Sequence, residues 1–156
     1  MKLSADFLAQ ALAVAHAAAD AAERVIRSRY RARDFSVDAK ADATPVTEAD
    51  REAEIAIKDV LRSSFPTHAF LGEEHGREGD GDFLWLIDPI DGTKAFVRGY
   101  PMFSTQIALM HGGELVLGVS SAGPFGERAC ARLGGGAFVN GERVRVGPAA
   151  TLADAQ

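Results

Sequence analysis

The sequence predicts an α+β domain in which two N-terminal helices pack on a mainly antiparallel sheet. Two observations carry this. Apolar residues recur at helical spacing as far as Pro66 and then shift towards the alternation of strands. Beyond that point the connections are short and glycine-rich, as hairpins require, and the second half holds no stretch suited to the dozen-residue crossover of a parallel pair. With 156 residues, 47% hydrophobic and 25% charged, the chain suffices for one such domain over residues 1–156.

The first helix is expected from about Ser4 to Tyr30. Phe7, Leu8, Ala11, Leu12, Ala15, Ala18, Ala19, Ala22, Val25 and Ile26 form its apolar stripe. The small alanines call for close packing against another helix or a second subunit. A second helix starts at Thr47, whose hydroxyl caps the backbone while Asp50 completes a capping box. Ala53, Ile57, Val60 and Leu61 are its apolar face, and Phe65-Pro66 ends it. Arg31 to Val46, between the helices, reads as polar and turn-like. Strands are expected at Ala69–Leu71, Phe83–Ile87, Ser104–Met110, Glu114–Ser120, Glu127–Arg132 and Ala137–Val146.

The charge is unevenly placed. Residues 73–91 hold seven acids and one base, whereas the rest of the chain is close to neutral within a net charge of −5. No basic stripe of the kind that tracks nucleic acid stands out. The longest strongly apolar run, Phe83–Ile87, is far short of a membrane span, and Asp6, Gln10 and His16 interrupt any signal-peptide core. One cysteine, Cys130, leaves no internal disulfide and no multi-cysteine metal site. A cytoplasmic setting is expected.

Several motifs fail on inspection. Gly134–Gly136 is a turn, since no Gly-Lys-Ser/Thr or G-x-G-x-x-G follows a strand. Gly118-Val119-Ser120-Ser121-Ala122 approximates a nucleophile elbow but ends in Ala, and no His follows it. His16, His68, His75 and His111 lack metal-ligand spacing and read as ordinary residues.

Three pieces carry chemistry. They are Gly72-Glu73-Glu74 after one short strand, Asp88-Pro89-Ile90-Asp91-Gly92-Thr93 after another, and Lys40 with Val46-Thr47 and Asp50 at the second helix. Asp88 and Asp91 bracket a turn, so both carboxylates and the Ile90 carbonyl can converge, with Glu73 as a third carboxylate. Oxygen-only ligation favours Mg²⁺, Mn²⁺ or Ca²⁺ over zinc. Two such ions suit in-line attack of water on a phosphate. A short helix beginning near Thr93 would turn the amides of Gly92 and Thr93 towards phosphate oxygens.

Together these pieces, with Gly134-Gly135-Gly136-Ala137-Phe138-Val139-Asn140-Gly141, resemble the inositol monophosphatase superfamily over about Lys40 to Val146. Asp91-Gly92-Thr93-Lys94-Ala95-Phe96-Val97-Arg98-Gly99 looks most like the histidinol-phosphate phosphatase branch. The resemblance implies a sugar-phosphatase-type N-terminal domain and a Mg²⁺-dependent, lithium-sensitive phosphomonoesterase with two or more cation sites, Mn²⁺ being an alternative ion. It implies Glu73, Asp88, Asp91 and the Ile90 carbonyl as metal ligands. Asp50 and Thr93, with Glu73, would be the catalytic groups, positioning and helping to deprotonate the attacking water. Gly92 and Thr93 would hold the phosphate. Lys94 would contact the substrate or sit in solvent, and Lys40 would lie near the site.

The family's second half carries a further metal-binding Asp in a Trp-Asp motif. Here the one tryptophan is Trp85. A fragment of a longer product or a true half-protein is therefore expected, and a homodimer is compatible with either. The substrate would be a small phosphate ester, histidinol phosphate first, in histidine biosynthesis. Inositol phosphate or a 3′,5′-bisphosphate nucleotide is the alternative. The alternative of another class is a non-catalytic cation-binding or partner-binding half-domain.

Overall fold

Ser4 opens the first helix by accepting the Phe7 amide on its Oγ at 3.1 Å, and α1 runs over Ala5–Ala32. The computed structural model describes residues 3–32, 35–39, 45–148, 151 and 153. Thr47 and Asp50 form the expected capping box, so that α2 spans Glu48–Ser64 and closes with the Phe65 amide on the Leu61 carbonyl. The alanine stripe of α1 (Ala11, Ala15, Ala18, Ala19 and Ala22) is fully buried and lets α1 lie close along α2. The stripe is thus used within the chain.

The sheet comprises β3 (Ala69–Gly72), β4 (Gly76–Glu78), β5 (Phe83–Asp91), β6 (Ser104–His111), β7 (Glu114–Ala122), β8 (Glu127–Arg132), β9 (Gly136–Val139) and β10 (Glu142–Val144), in the order β10-β9-β8-β7-β6-β5-β3-β4. Both long helices pack on one face, over Trp85, Ile87, Ile107, Leu109 and Val119. Alternation sends Leu86, Asp88, Gln106, Ala108 and Gly118 to the other face, where they line an open groove of about 700 Å³. No described helix is long and apolar enough to cross a membrane.

Four expectations need correction. The stretch between the helices is not simply a turn, because β1 (Val37–Ala39) pairs antiparallel with β2 (Pro45–Thr47), leading straight into the α2 cap. One strand pair is parallel, β3 with β5. It needs no long crossover, because β4 sits outside β3 at the sheet edge and the chain returns past β3 into β5. The last expected strand is two, split at Asn140-Gly141, where φ values of 49° and 83° give the left-handed pair a tight hairpin requires. Finally, Asp88 and Asp91 do not bracket a turn. Both belong to β5, which continues through Pro89 by a register shift against β6.

Candidate active site

The shift in β5 decides where the carboxylates go. Asp88 faces Gln106 and Asp91 faces Ser104, so β5 carries one residue more than β6 over this interval. In a regular strand, residues three apart point to opposite faces; a bulge re-aims them. The bulge also accommodates proline, which has no amide for the ladder. Thr105, buried on β6, fixes the distortion by donating its hydroxyl to the Pro89 carbonyl at 2.8 Å.

After Asp91 the chain turns at Gly92 into α3 (Thr93–Arg98). Gly92 has φ 98°, and a β-carbon there would lie 2.6 Å from the Met102 carbonyl oxygen, so the position is closed to other residues. A glycine cap brings no side chain, and the first turn of α3 receives no side-chain cap hydrogen bond. The far end of α3 is held by Tyr30 of α1, whose hydroxyl donates to the Gly99 carbonyl at 2.7 Å.

Thr93 joins two parts of the site. Its Oγ1 stands 3.0 Å from the Ile90 carbonyl oxygen and 3.2 Å from Asp50 Oδ1, two acceptors for one proton. Asp50 is 1% exposed. Its Oδ2 accepts the Thr47 amide at 2.8 Å and the Thr47 hydroxyl at 2.6 Å. Burial pushes its carboxyl above the usual range, against the hydrogen bonds from Thr47 and Thr93 that pull it down.

Glu73 follows β3, and its amide donates to the Ile87 carbonyl at 3.0 Å, which sets it beside Asp88. The two side chains share a hydrogen bond. Asp88 is pushed up to about 7, first by burial, then by that hydrogen bond and by the charges of Glu73, Asp91 and Asp50. Its Oδ1 is buried and has no hydrogen-bond partner among the described residues. Carboxyl groups this close repel one another when ionised, and a hard divalent cation, which suits the same oxygen donors, would relieve that repulsion. As these side chains stand, no three His, Cys, Asp or Glu among the described residues are arranged to hold a metal ion. The donors therefore fit a cation in kind.

Asp91, Gly92 and Lys94 are exposed, Lys94 on the first turn of α3. Lys40 lies outside the described residues.

The inositol monophosphatase family model matches residues 8–155. The chain belongs to this family. A histidinol-phosphatase of Streptomyces coelicolor is 42% identical over 153 residues, which cover 92% of this chain and 58% of that protein. A fructose-1,6-bisphosphatase/inositol-1-monophosphatase of Thermotoga maritima is 50% identical over 107 residues, covering 69% of this chain and 41% of that protein. Among solved structures, the extragenic suppressor protein SuhB of Bartonella henselae superposes with a TM-score of 0.84 at 35% identity, over 88% of this chain and 55% of that one. The chain spans about half the length of the curated relatives it matches.

Sequence reasoning missed two groups around this candidate site. Glu54 and Lys58 of α2 are 0% and 4% exposed, and His75 joins them, with its Nδ1 2.9 Å from Glu54 Oε1. Thr105, which holds the bulge, has nothing in its local sequence to set it apart within the strand expected at Ser104–Met110. The signal for the first group was present: Glu54 and Lys58 fall on the stripe of Ala53, Ile57 and Leu61.

Proposed function

We propose that this chain supplies the carboxylate-bearing part of the active site of a Mg²⁺-dependent phosphomonoesterase, with histidinol phosphate as the preferred substrate. A role in histidine biosynthesis and a cytoplasmic setting go with that substrate by resemblance. The observation that carries the reading is Asp88, half-buried, with one buried oxygen that has no hydrogen-bond partner among the described residues, beside Glu73 and within the fields of Asp91 and Asp50. Such a cluster is self-repelling until positive charge enters it.

In this reading Glu73, Asp88, Asp91 and the Ile90 carbonyl hold the cation, and residues 1–156 form one metal-binding domain. Bound there, Mg²⁺ would acidify water and neutralise charge on the phosphate, as divalent cations do in phosphoryl hydrolysis. The chain's own residues move the proton. Thr93 Oγ1 receives it from the attacking water while passing its own to Asp50 Oδ1, 3.2 Å away. A buried carboxylate with a raised affinity for protons is a better base than an exposed one. The amides of Gly92 and Thr93 receive the phosphate oxygens, and the water oxygen bonds to phosphorus as the bond to the ester oxygen breaks and that oxygen takes up a proton from solvent. Lys94, at the same helix end, reaches the substrate or remains in solvent.

A second reading is a cation-binding or partner-binding module without turnover. Mg²⁺ titrated by calorimetry tests the cation site, and phosphate release from histidinol phosphate, inositol 1-phosphate or adenosine 3′,5′-bisphosphate decides for turnover where it is found. Mg²⁺ binding without turnover is expected of the 156-residue chain. Turnover of one ester, by self-association or otherwise, would name the substrate. A folded protein that binds no Mg²⁺, or turnover that survives Asp91→Asn, would overturn the site assignment.

A further inference from the structure

Glu54 sits in the middle of α2, fully buried, with four donors converging on its carboxylate. Lys58 Nζ lies 2.6 Å from Oε1, the Glu74 amide 2.7 Å from Oε2, the His75 amide 3.2 Å from Oε1, and His75 Nδ1 2.9 Å from Oε1. Burial raises its affinity for a proton, yet these hydrogen bonds outweigh burial and hold the carboxyl below the usual range. Lys58 is itself buried and reaches Glu78 Oε1 in β4 at 2.8 Å. The pair therefore grips the β3–β4 hairpin at two points, its turn and its second strand.

The turn so gripped is Glu73-Glu74-His75. Glu73 is tied on its other side by its amide to the Ile87 carbonyl, next to Asp88. Gly72 lets the carboxylate in, since a β-carbon there would lie 2.0 Å from Glu54 Oε1. A buried ion pair is a poor source of net stability compared with apolar residues of the same volume. Fixing a geometry is the use that this arrangement serves.

We infer that Glu54, with Lys58 as its counter-ion, is a positioning residue that holds Glu73 against Asp88 for cation binding. The inference rests on the proposed function for the cation, although the clamp on the turn stands without it.

The test uses the full chain carrying Glu54→Gln with Lys58→Met, which removes both charges and keeps the volume. Mg²⁺ affinity is measured by calorimetry, and exchange of the Glu73, Glu74 and His75 amides by NMR. The double variant is expected to keep wild-type circular dichroism, to lose protection at those three amides by tenfold or more, and to bind Mg²⁺ about 10–100-fold more weakly. Should it not fold, Glu54→Gln alone keeps one amide acceptor and is read in the same way. Unchanged Mg²⁺ affinity in a folded variant would overturn the inference, as would unchanged amide protection. If the wild type binds no Mg²⁺, the proposed function fails. The amide exchange then decides the clamp separately, loss of protection supporting it and retention overturning it.

Discussion

Thr93 and Asp50 lie 43 positions apart and meet through one hydrogen bond of 3.2 Å, the hydroxyl at the start of α3 donating to a carboxylate in the first turn of α2. The contact makes the α2 cap part of the candidate site, because the same Asp50 accepts both Thr47 donors. Asp50→Ala leaves those buried donors without an acceptor and is expected to cost about 2 kcal/mol in urea denaturation. A double-mutant cycle with Thr93→Val should return a coupling of about 1 kcal/mol. Strict additivity would mean that Thr93 gives its proton to the Ile90 carbonyl alone.

Gly72 is required by space. Its φ is not in the left-handed region, and the Glu54 carboxylate fills the volume a methyl group would need. Because that carboxylate is pinned by four donors, it cannot swing away cheaply. Gly72→Ala should destabilise the chain by about 3 kcal/mol, as overpacking of a closed site does. The same substitution in a Glu54→Ala background should cost much less. Equal costs in the two backgrounds would remove the steric explanation.

Much of this arrangement was legible in the residues, and the parts that were not share a cause. The α2 start was readable because Thr47 and Asp50 form a local motif whose partners lie within one turn. The carboxylates were readable because Glu73, Asp88 and Asp91 each come soon after a strongly apolar run. β1, β2 and β4 have three residues each, too short for any periodicity, and exist through their partners. The parallel β3–β5 pair depends on β4 occupying the edge, which no local pattern encodes. Asp88-Pro89 has the composition of a turn, and only pairing with β6 makes it a bulge. Glu54 and Lys58, at i and i+4, have the spacing of a solvated ion pair, and the β3–β4 hairpin is what buries them.

Thr105 supplies the one hydrogen bond described to the Pro89 carbonyl, in a place where both residues are buried. Thr105→Val keeps the shape and removes the hydroxyl that donates to that carbonyl. A loss of about 1–2 kcal/mol is expected, with Thr105→Ser close to wild type because it retains the hydroxyl. If valine melts at the wild-type temperature, the bulge is held by backbone pairing and not by Thr105.

Asp88 gives the chain a pH dependence opposite in sign to ordinary acid denaturation. Its carboxyl is pushed from 3.8 up to about 7 in the folded protein. Between those values the folded chain holds a proton that the unfolded chain has released, so stability from this group rises as pH falls through about 7 and levels off near 3.8. Asp50, also raised, acts in the same direction. His16 and His68 oppose them. Burial depresses both, so their contribution is full above 6.5 and is lost as pH falls below it. Comparison with Asp88→Asn removes these common terms. In chelator, the variant should be more stable than wild type at about pH 8, and that advantage should vanish towards about pH 5, as urea denaturation at several pH values would show. Mg²⁺ should then reverse the order at about pH 8, stabilising wild type by binding its folded state and leaving the variant nearly unmoved. A gap between the two proteins that is constant with pH would mean that Asp88 is ionised in the folded chain, and the carboxylate repulsion invoked for the site would be absent.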